Sequence, residues 1–204
     1  LSNKFNVSQE LEDNYRKINQ NFGKFNESKV VVTYIDRFIR LKKFPLAAAA
    51  YGSDKNINEC LTEIYPDFLF IKSWVVKCQG VDAYCSAFTA VSLTDEAITG
   101  HSLGGSLAAL AAAKLVHIKA IPQDKVKLVT FGQPRTGDSG FAAAMDREIF
   151  YDNDMKPGSA WKRCVGGDED KDCANKYDLY YVSDHLTYFD RNVAKYGQSG
   201  CYGG

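Results

Sequence analysis

The chain has 204 residues, enough for one domain with a sizeable core, and its 45% hydrophobic and 25% charged content is ordinary globular usage. Lysine plus arginine and aspartate plus glutamate each number 25, so the formal net charge is zero. That balance leaves no electrostatic footprint for nucleic acid or an acidic polymer, and no apolar run approaches the length of a membrane span.

Residues 1–29 are polar and rich in asparagine, with Leu11, Tyr15, Ile18 and Phe22 at helical spacing behind Ser8 as N-cap. One peripheral amphipathic helix is expected there. Residues 30–40 are apolar, with Ile35, Phe38 and Ile39 placed to face a core. Pro45 opens a short alanine-rich helix, Leu46 to Tyr51. Cys78 and Cys85 flank Gly80 and Asp82, which predicts a hairpin or tight loop. Ala87 to Leu93 reads as a strand, with Phe88, Ala90 and Leu93 as its apolar positions.

The strongest organisation lies at 97–138. Ala97-Ile98-Thr99 runs into Gly100-His101-Ser102-Leu103-Gly104-Gly105, and a helix follows from Ser106 to about His117. That helix is apolar nearly all round and so expected to be buried. Val126 to Phe131 alternates as a strand and ends at Gly132. Strand, tight turn, helix, strand is an α/β unit, and it requires Val126–Phe131 to lie parallel to the strand feeding Ser102. Asp138 to Arg147 reads as another helix, capped by Asp138 or Ser139. Residues 151–178 read as loop. The chain closes with Tyr180 to Val182, then Ser183-Asp184-His185-Leu186, and a glycine-rich tail bearing Cys201.

Six cysteines, Cys60, Cys78, Cys85, Cys164, Cys173 and Cys201, form no CxxC pair, and there are only three histidines. Zinc-ligand spacing is absent. An even set reads as three disulfides and an oxidising compartment, with the pairing left open by the residues themselves. Two glycosylation sequons, at Asn6 and Asn26, agree with secretion. A chain that starts at Leu1 without a charged-then-apolar leader is read as one that has lost a signal peptide, or as a fragment. The acidic run Asp168-Glu169-Asp170 lacks the glycine and terminal glutamate of an EF-hand loop, so no calcium site, metal or other cofactor is expected.

Gly100-His101-Ser102-Leu103-Gly104 fits G-x-S-x-G. The pattern alone is weak in a chain with 16 glycines, but its context, between a short strand and an alanine-rich helix, is the one the motif needs. The serine must sit on a strained strand-to-helix turn, small residues let strand and helix approach, and the Leu103 amide can donate to an oxyanion beside the positive end of the helix dipole. A serine needs a base. His101 adjoins the nucleophile and would point away from it. His117, near a helix C-terminus where a cation is favoured, reads as structural. His185 is left as the base, in the chain order serine then histidine.

At these residues the chain resembles the class 3, fungal-type triacylglycerol lipases, in particular the secreted forms of nematodes and other animals. Thr99 to Leu110 is similar to the family's elbow and helix, Val129 to Asp138 to the following strand and turn, and Ser183 to Phe189 to the segment bearing the catalytic histidine. Pro45–Tyr51 and Ser86–Val91 match more weakly. Residues 1–40 do not match and are read as an N-terminal extension, with 41–204 as the lipase-like domain. The resemblance implies an α/β-hydrolase fold, ester hydrolysis with Ser102 as nucleophile and His185 as base, and disulfides Cys60–Cys201, Cys78–Cys85 and Cys164–Cys173. The implied protein is a secreted lipase or esterase acting on acylglycerols or other carboxylic esters, with a lipid–water interface as its working place and neither nucleic acid nor a transmembrane segment involved.

Two family segments have no counterpart. After Ser92 the family carries a strand, an Arg-Gly-Thr-type turn that supplies a second oxyanion donor, a lid helix and a further strand. Here Ser92-Leu93-Thr94-Asp95-Glu96 leads almost directly to the elbow. After Arg147 the family has a strand ending in the catalytic aspartate, whereas here Arg147 runs into Glu148 to Asp154. The triad acid is therefore unassigned. Asp146, Asp152, Asp154 and Asp184 are substitutes, each read more readily as a loop or cap residue. The central sheet is expected to be incomplete, and the alternative function is a catalytically impaired pseudo-lipase, a binding protein on the same scaffold, or a truncated splice product.

Overall fold

Phe44 is the hub around which the main core assembles. Its ring is fully buried and meets Phe131 at 5.4 Å, Phe189 at 5.6 Å, and Tyr188 and Tyr196 at 5.8 Å between centroids. Edge-to-face and stacked aromatic contacts of this kind add to the area-driven burial, so truncating Phe44 to alanine should cost about 3–5 kcal/mol. The computed structural model that shows this describes residues 35–65, 67–78, 82–92, 97–141, 149–151, 155–164, 171, 173 and 182–202. The expected helix spanning Leu11–Phe22, the sequons at Asn6 and Asn26, the acidic run 168–170, and Asp146, Asp152 and Asp154 lie outside the described residues.

A continuous helical stretch opens the described chain: α1 (Asp36–Phe38), a π-helical turn (Ile39–Lys43), and α2 (Phe44–Ala49), with Pro45 just past the junction between the π turn and α2. All six residues of α2 are buried. Of the three apolar residues expected to face the core here, only Ile39 packs against it; Ile35 and Phe38 are exposed, and Phe38 instead lends its ring face to the buried Lys43 ammonium, 4.8 Å away. The stretch is apolar as expected, but its helix turns Ile35 and Phe38 outward and only Ile39 inward. α3 (Asp54–Ile64) starts in a capping box between Ser53 and Asn56 and buries Ile57, Cys60, Leu61 and Ile64 on one side.

Strands β1 (Leu69–Lys77) and β2 (Tyr84–Val91) form an antiparallel hairpin, closed near its tip by the Cys78–Cys85 disulfide. Phe70, Phe88 and Ala90 pack on the main core, while Leu69, Ile71, Val75 and Val76 face solvent. β3 (Ile98–His101) and β4 (Leu128–Phe131) pair in parallel, Ile98 opposite Leu128 through His101 opposite Phe131. Between them runs α4 (Leu103–His117). Its small residues, Gly105, Ser106, Ala108, Ala109, Ala112 and Ala113, are buried, and Ala109 and Ala113 contact Phe141 and Leu128 in a second core. The helix is not buried all round, however. Leu103, Leu107 and Leu110 are exposed.

After Phe141, whose amide is capped by the Asp138 carboxylate at 2.9 Å, come β5 (Ile149–Tyr151) and β6 (Trp161–Arg163), an antiparallel pair within a stretch whose composition reads as loop. The chain then forms α5 (Val182–Leu186), the short pair β7 (Thr187–Tyr188) and β8 (Arg191–Asn192), and α6 (Val193–Gln198). Among the described residues the strands fall into four separate two-stranded sheets, and no helix is long and apolar enough to cross a membrane. The remaining disulfides are Cys60–Cys201, which ties α3 to the tail across 141 residues, and Cys164–Cys173, which spans nine.

Candidate active site

The site begins where β3 turns into α4. Ser102 has φ 56° and ψ −132°, a left-handed backbone that a non-glycine residue holds only when its surroundings over-determine it. Those surroundings are visible. The Ser102 amide donates to the Phe131 carbonyl at 2.9 Å, tying the turn to β4. Gly100 sits so close beneath the next turn that an added Cβ would meet the Gly104 carbonyl and lie 2.8 Å from the Gly105 nitrogen. Gly105 in turn approaches β4, where a Cβ would be 3.1 Å from Gln133 and 3.3 Å from Thr130. The glycines at 100 and 105 are thus set by close approach, whereas a side chain at Gly104 would meet open space.

His185, on α5, places Nε2 2.8 Å from Ser102 Oγ, within hydrogen-bond reach. Burial lowers the pKa of its imidazole and so favours the neutral ring, the form able to accept the serine proton. Leu103 is the first residue of α4, so its N–H has no acceptor within the helix and lies directly after Ser102. Ser106 Oγ, one turn on, is 2.8 Å from Thr136 Oγ1, which is 3.0 Å from Gln133 Nε2; this polar cluster fastens the turn after β4 to the helix.

His101 is turned away from Ser102 Oγ, as strand alternation requires, but it is not idle. It is buried, its ring lies 4.7 Å from that of His185, and both its nitrogens are engaged: Nδ1 with Tyr51 Oη at 2.6 Å and Nε2 with the His185 carbonyl at 2.8 Å. Tyr188 packs edge-on against His101 at 5.5 Å, and burial, reinforced by the neighbouring Tyr51, pushes its phenol far above the ordinary tyrosine range. Tyr51, Tyr188 and Gly132 are contact residues of this site that the motif reading did not single out. Tyr188 follows His185 by three positions, and that spacing is the one local signal that could have found it.

Among the described residues no carboxylate hydrogen-bonds His185 Nδ1. Asp184, the one described acid candidate, accepts from Ser183 Oγ at 3.1 Å instead. No cluster of three or more histidine, cysteine, aspartate or glutamate side chains that could hold a metal occurs among the described residues. His117 is exposed in the last turn of α4.

A parallel strand pair wrapped around a strained serine elbow, with a histidine from a later segment against the serine, is the arrangement of an α/β-hydrolase fold. The crystal structure of a lipase from Rhizopus microsporus var. chinensis superposes with a TM-score of 0.60, covering 86% of this chain and 93% of that one at 18% identity. The model of the family "Lipase (class 3)" matches residues 89–159. Lipase ZK262.3 of Caenorhabditis elegans is 28% identical over 167 residues, 52% of this chain and 47% of that protein. The secreted mono- and diacylglycerol lipase 2 of Gibberella zeae is 47% identical over 57 residues, 28% of this chain and 13% of that protein. Over the matched residues the chain is similar to class 3 lipases. It spans about half, or less, of the length of these curated relatives.

Proposed function

We propose that the protein is a secreted serine hydrolase of carboxylic esters, with acylglycerols as its substrate class, Ser102 as nucleophile and His185 as general base. The observation that carries this is the 2.8 Å contact between His185 Nε2 and Ser102 Oγ on a serine held at positive φ. As Oγ attacks the acyl carbonyl, its proton passes to Nε2, and the developing oxyanion is met by the Leu103 amide. Nε2 then returns the proton to the departing alkoxide, leaving an acyl-serine. Water, deprotonated by the same nitrogen, attacks that ester and releases the fatty acid.

Several features support the finer parts of this reading. Three disulfides agree with an oxidising, extracellular setting, and Asn6 and Asn26 would be the glycosylated positions. Leu103, Leu107 and Leu110 form an exposed apolar stripe that starts beside the nucleophile, suited to a lipid–water interface. Residues 41–204 would form the hydrolase domain and 1–40 an extension.

A second reading, a pseudo-lipase that binds without turning over, is favoured by one observation: no described carboxylate fixes His185 Nδ1. In the serine-protease template, replacing the acid lowers turnover by about 10⁴, and losing one oxyanion donor costs roughly 10²–10³, the two not being additive. Hydrolysis of p-nitrophenyl butyrate by the wild type beside Ser102→Ala separates the readings. Activity that disappears with the serine supports the hydrolase; equal background rates in both proteins support the pseudo-lipase.

A further inference from the structure

A buried imidazole must place both ring nitrogens, and His101 does so in a way that sets its tautomer. A carbonyl oxygen only accepts, so the contact of Nε2 with the His185 carbonyl requires the proton on Nε2. Burial favours the neutral ring, so Nδ1 offers a lone pair, and the Tyr51 hydroxyl donates to it. The result is a directed chain: Tyr51 O–H to His101 Nδ1, then His101 Nε2–H to the His185 backbone.

The far end of this chain is a weak point of the fold. α5 has only five residues, so its carbonyls find few N–H donors within the helix, and His185 lies in its last turn. The near end is firm. Tyr51 lies two residues past the end of α2, whose residues are all buried. The imidazole of His185 is then bounded on one side by the His101 ring at 4.7 Å and on another by Gly132, where a Cβ would lie 2.8 Å from Nδ1.

We propose that Tyr51 and His101 are positioning residues for His185, holding the base from its backbone through a tyrosine–histidine relay anchored in the core. The role rests on the reading of Ser102 and His185 as a nucleophile–base pair. It assigns to the main chain of His185 part of the orienting task that a triad acid performs on the ring, and it uses a residue of the elbow motif that faces away from the substrate.

Tyr51→Phe tests this with the ring volume kept. The rate of Ser102 labelling by a fluorophosphonate, counted per folded molecule, should fall about tenfold, with a larger loss, near a hundredfold, for His101→Leu, in keeping with the cost of misplacing a catalytic group. His101→Gln, whose amide N–H can still reach the His185 carbonyl, should recover much of the His101→Leu loss. Because the chain has only three histidines, their ring-proton resonances give a readout independent of reactivity. Tyr51→Phe should shift the His101 and His185 signals and leave His117 unmoved. Wild-type labelling with an unchanged rate in Tyr51→Phe overturns the relay. If the wild type itself does not label, the hydrolase reading fails, and the resonances decide: a shifted His185 signal upholds the relay, an unmoved one ends it.

Discussion

Gly132 lies against His185 so closely that a methyl group there would sit 2.8 Å from Nδ1 and 2.9 Å from Cε1, and would also collide with the Tyr188 hydroxyl. The residue has φ 53°, so a side chain would meet backbone strain as well as the imidazole. Gly132→Ala should push the base off Ser102 Oγ. A displacement of about 1 Å can cost on the order of 100-fold in rate. Fluorophosphonate labelling should slow by that order while the circular dichroism of the folded protein is kept; labelling at the wild-type rate would show that the base does not depend on this contact.

Desolvation lowers the pKa of both His185 and His101 in the folded chain. Two consequences follow at acidic pH. If His185 is the base, its neutral form persists below the usual histidine range, and the acid limb of an ester-hydrolysis profile should fall below about pH 6.5. For stability, the unfolded chain takes up protons near pH 6.5 while the folded one resists them, so stability is full above that value and is lost as pH falls through it. Thermal unfolding between pH 4.5 and 8 should show a melting temperature that declines on the acid side. Replacing His101 by glutamine should flatten that decline; a slope identical to wild type would mean that His101 is not among its causes.

The three disulfides differ in what they restrain. In the loop-entropy model, closing 141 residues through Cys60–Cys201 is worth about 5 kcal/mol, against about 2.5 kcal/mol for Cys78–Cys85, which closes seven. Cys60 and Cys201 are also both buried in the main core. Cys60→Ser with Cys201→Ser should therefore lower the denaturation midpoint far more than Cys78→Ser with Cys85→Ser. Equal shifts would indicate that the unfolded chain is held compact by something other than this bond.

The exposed stripe on α4 makes a test of the interfacial reading. Leu107→Lys with Leu110→Lys should reduce hydrolysis of an emulsified triacylglycerol and binding to phosphatidylcholine vesicles, and leave the rate on a dissolved p-nitrophenyl ester unchanged. Loss on both substrates alike would assign the leucines to folding, and no loss on either would remove them from the interface.

Much of this arrangement was legible in the chain itself. The α/β unit from Ile98 to Phe131, the parallel relation of its strands, and the elbow at Ser102 follow from local pattern, because a strained turn needs glycines at set offsets and a helix to receive it. The turn at Cys78–Cys85 was similarly local. The helix start expected at Pro45 is not one, because helical backbone runs unbroken into it from Asp36. Other features were not readable. Trp161–Arg163 pairs with Ile149–Tyr151 although its neighbourhood has loop composition, since pairing depends on a partner rather than on propensity. Leu103, Leu107 and Leu110 look like core in sequence and are exposed in space, because burial depends on which elements pack against each face of a helix and not on its own composition.

By itself, then, the sequence determined the groups on offer: a serine on a glycine elbow, a histidine in the later segment Ser183–Leu186, and an even set of six cysteines. Only the tertiary structure decided how these meet. It brought His185 to 2.8 Å from Ser102, placed Gly132 and Tyr188 around the imidazole, and turned His101 to link the His185 backbone to Tyr51. The physical reason is range. Turn strain and helix periodicity act over a few residues and are written in local pattern, whereas the Tyr51–His101–His185 contacts join positions 50 and 84 residues apart and exist only once the core around Phe44 has packed.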